Sequence, residues 1–127
     1  MNTRTQTTTR ALSATSLTGT NVVNPQGENL GHVEDMMIDL DSGRIQYTVL
    51  SFGGVLGIGD KLFAVPFEAF TIDQNDENFV LDVDQERLKN APGFDKNDWP
   101  ATGNTEFRDR VYAYYEIDPY WTATPVR

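Results

Sequence analysis

The sequence predicts a mostly β fold: a small antiparallel barrel with short helices and a C-terminal helical, aromatic extension. Three observations lead there. Between Thr15 and Asp84 short apolar runs with period-two alternation recur at close spacing. Turn signals separate them, as in Asn24-Pro25-Gln26-Gly27 and Asp41-Ser42-Gly43. A chain of 127 residues supplies one hydrophobic core and not two.

Residues 1–13 read as a flexible N-terminal tail. The first ten hold five Thr and two Arg and, after Met1, no large apolar side chain to offset the entropy of ordering them. Residues 14–90 read as the barrel. Asn21-Val22-Val23 enters a hairpin through Pro25, which presets φ, and Gly27, which tolerates positive φ. Leu30 to Leu40 follows, with Met36, Ile38 and Leu40 on one face by period two and a bulge or bend expected at Gly31. After the turn, Arg44 to Phe52 alternates Ile45, Tyr47 and Val49 with Gln46 and Thr48, so two long strands pair. Lys61 to Val65 is a short apolar strand stopped by Pro66, and Phe67 to Phe70 has room for one helical turn. Asn78 to Asp84 is a further strand, with Phe79, Leu81 and Val83 inward. Gln85 to Asn90 makes one or two helical turns before Ala91-Pro92-Gly93-Phe94 breaks the chain.

Residues 91–127 read as an extension that packs on the barrel or on a partner. Thr105 is the expected N-cap of a helix over 105–116, with Phe107, Val111, Tyr114 and Tyr115 along its apolar face, and Pro119 ends it. Residues 107–121 hold six of the 14 aromatics, too many to leave singly in water.

Composition closes off much chemistry. There is no cysteine, hence no disulfide, thiolate nucleophile or sulfur-held metal, and a single histidine removes imidazole clusters. The net charge is −9; all 19 acidic residues and eight of the ten Lys and Arg lie from Glu28 onward, so residues 28–127 carry −11. That balance argues against nucleic acid and anionic membranes, whose hold on a protein comes from its cations. No apolar run is long enough to span a bilayer and no secretory h-region is present, which makes the cytoplasm the expected compartment.

The series Leu17, Gly19, Val22, Asn24-Pro25-Gln26-Gly27-Glu28, Leu30-Gly31, Val33-Glu34-Asp35, Ile38-Asp39, Gly43-Arg44-Ile45 and Tyr47 resembles the PRC-barrel family. Val49-Leu50-Ser51-Phe52-Gly53-Gly54, Leu56-Gly57-Ile58-Gly59-Asp60-Lys61-Leu62-Phe63-Ala64-Val65-Pro66, Phe79-Val80-Leu81-Asp82-Val83 and Leu88 to Phe94 continue the match, as in stand-alone bacterial members. The resemblance implies a small PRC-type β-barrel. It also implies a non-enzymatic interaction role, since relatives include the cytoplasmic domain of the reaction-centre H subunit and the C-terminal domain of the ribosome maturation factor. A role as a ribosome-associated assembly factor rests on that analogy alone, and the resemblance supplies no catalytic residues.

Candidate sites are few. The glycine-rich 53–61 stretch lacks the Gly-Lys-Ser/Thr of a phosphate loop, because Gly59 is followed by Asp60 and then a strand. Its apolar residues Phe52, Val55, Leu56 and Ile58 instead suit a self-association surface. The aromatics Tyr114, Tyr115, Tyr120 and Trp121 form a second interface candidate. Asp73 to Asp84 echoes a calcium loop, but Asn78 stands where Gly is needed and Asp84 where Glu is. Carboxylate pairs Asp39/Asp41 and Asp82/Asp84 flank turns or end strands, the usual place of solvated faces. His32 is alone, and Ser51 lacks a nucleophile-elbow context. The sequence therefore predicts no catalytic residue, metal or cofactor, and a homodimerising adaptor that docks an unidentified protein partner. The alternative is a small-ligand-binding or enzymatic barrel using residues 53–61 or Asp39/Asp41.

Overall fold

The computed structural model describes residues 12–53, 61–73, 77–101 and 103–122. A one-turn helix, α1 (Ala14–Leu17), is followed by β1 (Asn21–Val23), β2 (Asn29–Ile38), β3 (Ile45–Phe52) and β4 (Lys61–Val65). A 3-10 turn at Phe67–Ala69 leads into β5 (Phe70–Asp73) and β6 (Asn78–Leu81). Then come α2 (Gln85–Lys89), β7 (Gly93–Asp95), α3 (Thr105–Tyr115) and a last 3-10 turn at Tyr120–Thr122. The strands form one seven-stranded sheet in the order β5-β6-β1-β2-β3-β4-β7, with no hydrogen-bonded closure between its ends. Among the described residues no helix is long and apolar enough to cross a membrane.

The chain is mostly β, as the alternation predicted, and two strands come from unexpected places. Phe70–Asp73 pairs with β6 where only a helical turn was expected, and Gly93–Asp95 pairs with β4 where Ala-Pro-Gly signalled a break. One neighbour pair departs from the antiparallel pattern: β1 runs parallel to β6, Val22 beside Phe79 and Val23 beside Val80.

Strand β3, beside the central strand β2, is buried on both faces from Tyr47 to Phe52. Leu50 and Phe52 point into a cluster with Val22, Leu30, Phe63, Phe79, Leu81 and Leu88. Residues from both halves of the strand order meet there, so the sheet curls around it. Tyr47 and Val49 point the other way, into a second cluster with Leu62, Phe94, Phe107, Val111 and Tyr112. Helix α3 covers that outer face.

The turn at residues 24–28 hangs on one side chain. Asn24 is 1% exposed; its carbonyl oxygen accepts from the Gln26 and Glu28 backbone N–H groups at 3.1 and 2.8 Å, and its amide donates to Glu28 at 2.7 Å and to the Val83 carbonyl at 3.2 Å. Alanine there removes all four of these hydrogen bonds. Asn24→Ala is expected to cost about 2–3 kcal/mol in urea unfolding.

Candidate functional site

The expected inward face of β2 is corrected. Period two puts Met36, Ile38 and Leu40 together, whereas the buried residues are Leu30, Val33 and Met36, three apart. The register slips twice against β3: Glu34 is the extra residue in β2 between Val33 and Asp35, which swaps its faces, and Gln46 is the extra residue in β3 opposite Met37 and Ile38. The bulge expected at Gly31 is also present: against β1, Asn21 pairs with His32 and Val23 with Asn29, which leaves an extra residue in β2. Ile38, the last residue of the strand, is 49% exposed and Leu40, in the turn beyond, 91%. The turn itself is held by Gly43 N–H donating to the Asp39 carbonyl and Asp39 N–H to that of Arg44, at 2.7 and 2.8 Å.

This end of the β2–β3 hairpin borders a groove of about 390 Å³, walled by Met37, Ile38, Leu40, Tyr47, Pro100 and Ala101, with Asp39, Asp41 and Arg108 also lining it. The C-terminal turn clasps its far side. Tyr120 Oη donates to Asp39 Oδ2 at 2.5 Å, and the Arg44 guanidinium lies 4.7 Å over the Tyr120 ring while bonding Glu68 at 3.1 Å. Trp121 packs edge-on against Tyr112 at 4.6 Å and lies under Arg108 at 3.7 Å.

Asp39 is thereby committed to structure. The Tyr120 hydroxyl, with the Asp41 and Ser42 backbone N–H groups, holds its carboxyl below the ordinary 3.8 against an opposing desolvation. A carboxyl so acidic is ionised at neutral pH and makes a poor general acid or base. Because its folded value is depressed, its contribution to stability is complete above the ordinary value and is lost as pH falls through the folded one. Asp39→Asn is expected to flatten that part of the acid limb, seen by comparing urea midpoints of the two proteins between neutral pH and pH 2.5.

The interface candidates separate. Phe52 is 9% exposed and belongs to the inner core; Val55, Leu56 and Ile58 lie outside the described residues. Tyr114 is tied to α2: its hydroxyl donates to the Arg87 carbonyl at 2.6 Å, and the Arg87 guanidinium sits 4.5 Å over its ring. The hydroxyl of Tyr115 is buried without a partner among the described residues, and burial, then the neighbouring Tyr114, pushes its pKa well up. Tyr114 and Tyr115 pack against the inner cluster, Tyr120 and Trp121 against the outer one. The structure does not bring the four into one patch. Tyr112, absent from the expected apolar face of the helix, is its most buried large residue, at 1%.

The remaining chemical candidates are also dispersed. Asp84 caps α2, accepting from Arg87 N–H at 2.7 Å, while Asp82 lines a separate cleft of about 400 Å³. His32 faces Glu34 at 3.4 Å on the surface. Ser51 is 3% exposed within the β2–β3–β4 ladder. Asn78 to Leu81 is strand, which a calcium loop does not accommodate; residues 74–76 and most of the glycine-rich stretch lie outside the described residues. Among the described residues no three His, Asp or Glu side chains gather as a metal site. Of the groove's residues the sequence singled out Asp39 and Asp41, as a carboxylate pair; Ile38 and Leu40 were expected to face inward, because the end of the strand at Ile38 leaves no mark in the hydrophobic pattern.

No curated protein matches the chain. One family model does match, that of the PRC-barrel domain, over residues 10–88. With six of the seven strands, the turn at Asn24 and the β2–β3 hairpin inside that span, the chain belongs to the PRC-barrel domain family.

Proposed function

We propose that this chain is a non-enzymatic, cytoplasmic protein-interaction module that pairs with a second copy and docks another protein. The observation that carries it is large apolar side chains held in water on a rigid hairpin: Leu40 at 91% and Ile38 at 49% exposed, beside an apolar-walled groove. Solitary exposed leucines are ordinary, but this one borders a cavity with Ile38 next to it. The carboxyl of Asp39, a residue of the alternative enzymatic reading, is shifted away from the catalytic range.

Self-association is assigned to the other end of the same hairpin. There β3 ends at Phe52 and the sequence continues with Val55, Leu56 and Ile58, three large apolar residues within four.

Light scattering at micromolar concentration is expected to give a mass well above 14.3 kDa, and a strict monomer contradicts self-association. A thermal-shift screen of metals, nucleotides and sugars is expected to produce no rise in melting temperature. A reproducible, saturable rise contradicts the non-enzymatic reading in favour of a ligand-binding barrel.

A further inference from the structure

The groove has a charge as well as a shape. Leu40 stands between Asp39 and Asp41 in sequence, and both carboxylates line the groove with it. Asp39 is bonded by neutral donors, the Tyr120 hydroxyl and two backbone N–H groups, so its charge is not neutralised. The Asp41 carboxylate has no hydrogen-bond or ion-pair partner among the described residues. The two guanidiniums nearby are already engaged, Arg44 with Glu68 at 3.1 Å and Arg108 with Asp109 at 3.3 Å while stacked on Trp121. An approaching molecule therefore meets apolar walls under an uncompensated negative rim, on a chain whose net charge is −9. A second copy would bring the same carboxylates and the same −9 to this face, and like charges brought together there repel.

We propose that this groove docks a basic segment of another protein, one that seats an apolar side chain beside Leu40 and sets a Lys or Arg against Asp41. The inference rests on the protein-interaction reading and names the surface and the partner's chemistry. The apolar residue supplies burial against Met37, Tyr47 and Pro100. The cation supplies orientation and a faster encounter, and makes binding salt-dependent.

The test uses the full chain, ¹⁵N-labelled, titrated with a capped hexapeptide Arg-Leu-Lys-Phe-Arg-Gly and with the same peptide carrying Glu at each basic position. Shift changes are expected at residues 37–41, 47 and 100–105 with the basic peptide only. Leu40→Ser, at a site with almost no packing to lose, is expected to weaken binding at least tenfold. Asp41→Asn is expected to weaken it about threefold and to flatten its decline between 50 and 500 mM salt. Shifts that map elsewhere, equal binding of the Glu peptide, or an unaffected Leu40→Ser overturn the proposal. So do shifts at Ile38 and Leu40 on concentrating the protein alone, which would make a second copy the occupant. A protein that self-associates yet leaves the groove untouched by peptide sinks this inference and leaves the interaction reading standing.

Discussion

Gly31→Ala is expected to be the most damaging single-methyl change in the described chain, costing about 3–5 kcal/mol. Gly31 has φ of +93°, and a Cβ built on it would lie 2.0 Å from the Ser51 carbonyl oxygen and 3.1 Å from Phe52 Cα. Both obstacles are backbone of β3, so neither can rotate away. Relief requires separating β2 from β3, the pair that carries His32 beside Ser51 and Val33 beside Leu50. Gly27 is the internal control. Its φ is +86° but nothing lies within 4 Å of its would-be Cβ, so Gly27→Ala should show only the left-handed strain of about 1–2 kcal/mol. Urea midpoints at unchanged m-value measure both. Equal losses at the two positions would mean that the close approach of β2 to β3 is not what Gly31 serves.

The second large effect is expected at Tyr112. Its ring is 1% exposed, touches Tyr120 and Trp121, and its hydroxyl donates to the Gln46 carbonyl at 2.6 Å, across 66 residues of sequence. It therefore fastens α3 and the C-terminal turn to the outer face of β3. Tyr112→Ala removes most of a buried aromatic ring and is expected to cost about 3–5 kcal/mol. Tyr112→Phe removes only the hydrogen bond and is expected to cost about 1–2 kcal/mol. The alanine variant should also free Trp121, read as a red-shifted, more quenchable tryptophan emission in a Trp99→Phe background. If Tyr112→Ala left both stability and emission unchanged, the helix would not be held to its own sheet by this residue.

How much of this was legible in the sequence follows from which forces are local. The 44–52 strand, the stop at Pro66 and the helix near 105–116 were legible because alternation, ring constraint and capping act over a few residues. Even there the cap fell one residue off: Asn104, not Thr105, accepts from the Phe107 N–H at 2.9 Å. Phe70–Asp73 and Gly93–Asp95 were illegible because a four-residue and a three-residue strand exist only through their partners, β6 and β4. Gly93, read as a chain breaker, is wanted for another reason: a Cβ there would sit 2.5 Å from the Leu62 carbonyl oxygen of the neighbouring strand.

For the candidate site the failure was one of where the strand ends. Ile38 and Leu40 continue a perfect alternation on paper, but the strand stops at Ile38, so Leu40 falls in the turn and neither has a core to face. The aromatic tail finds partners in its own chain: Arg87 for Tyr114, Asp39 for Tyr120, Tyr112 and Arg108 for Trp121. That leaves the Phe52 end and the hairpin groove as the surfaces on which an interaction role rests.

The most direct test of that role is sedimentation velocity of the wild-type chain and Leu56→Asp from 1 to 100 µM. The account predicts that the wild type moves from monomer to dimer across that range while Leu56→Asp, equally folded by circular dichroism, stays monomeric. A wild type that remains monomeric throughout, with Leu56→Asp indistinguishable from it, would contradict the account.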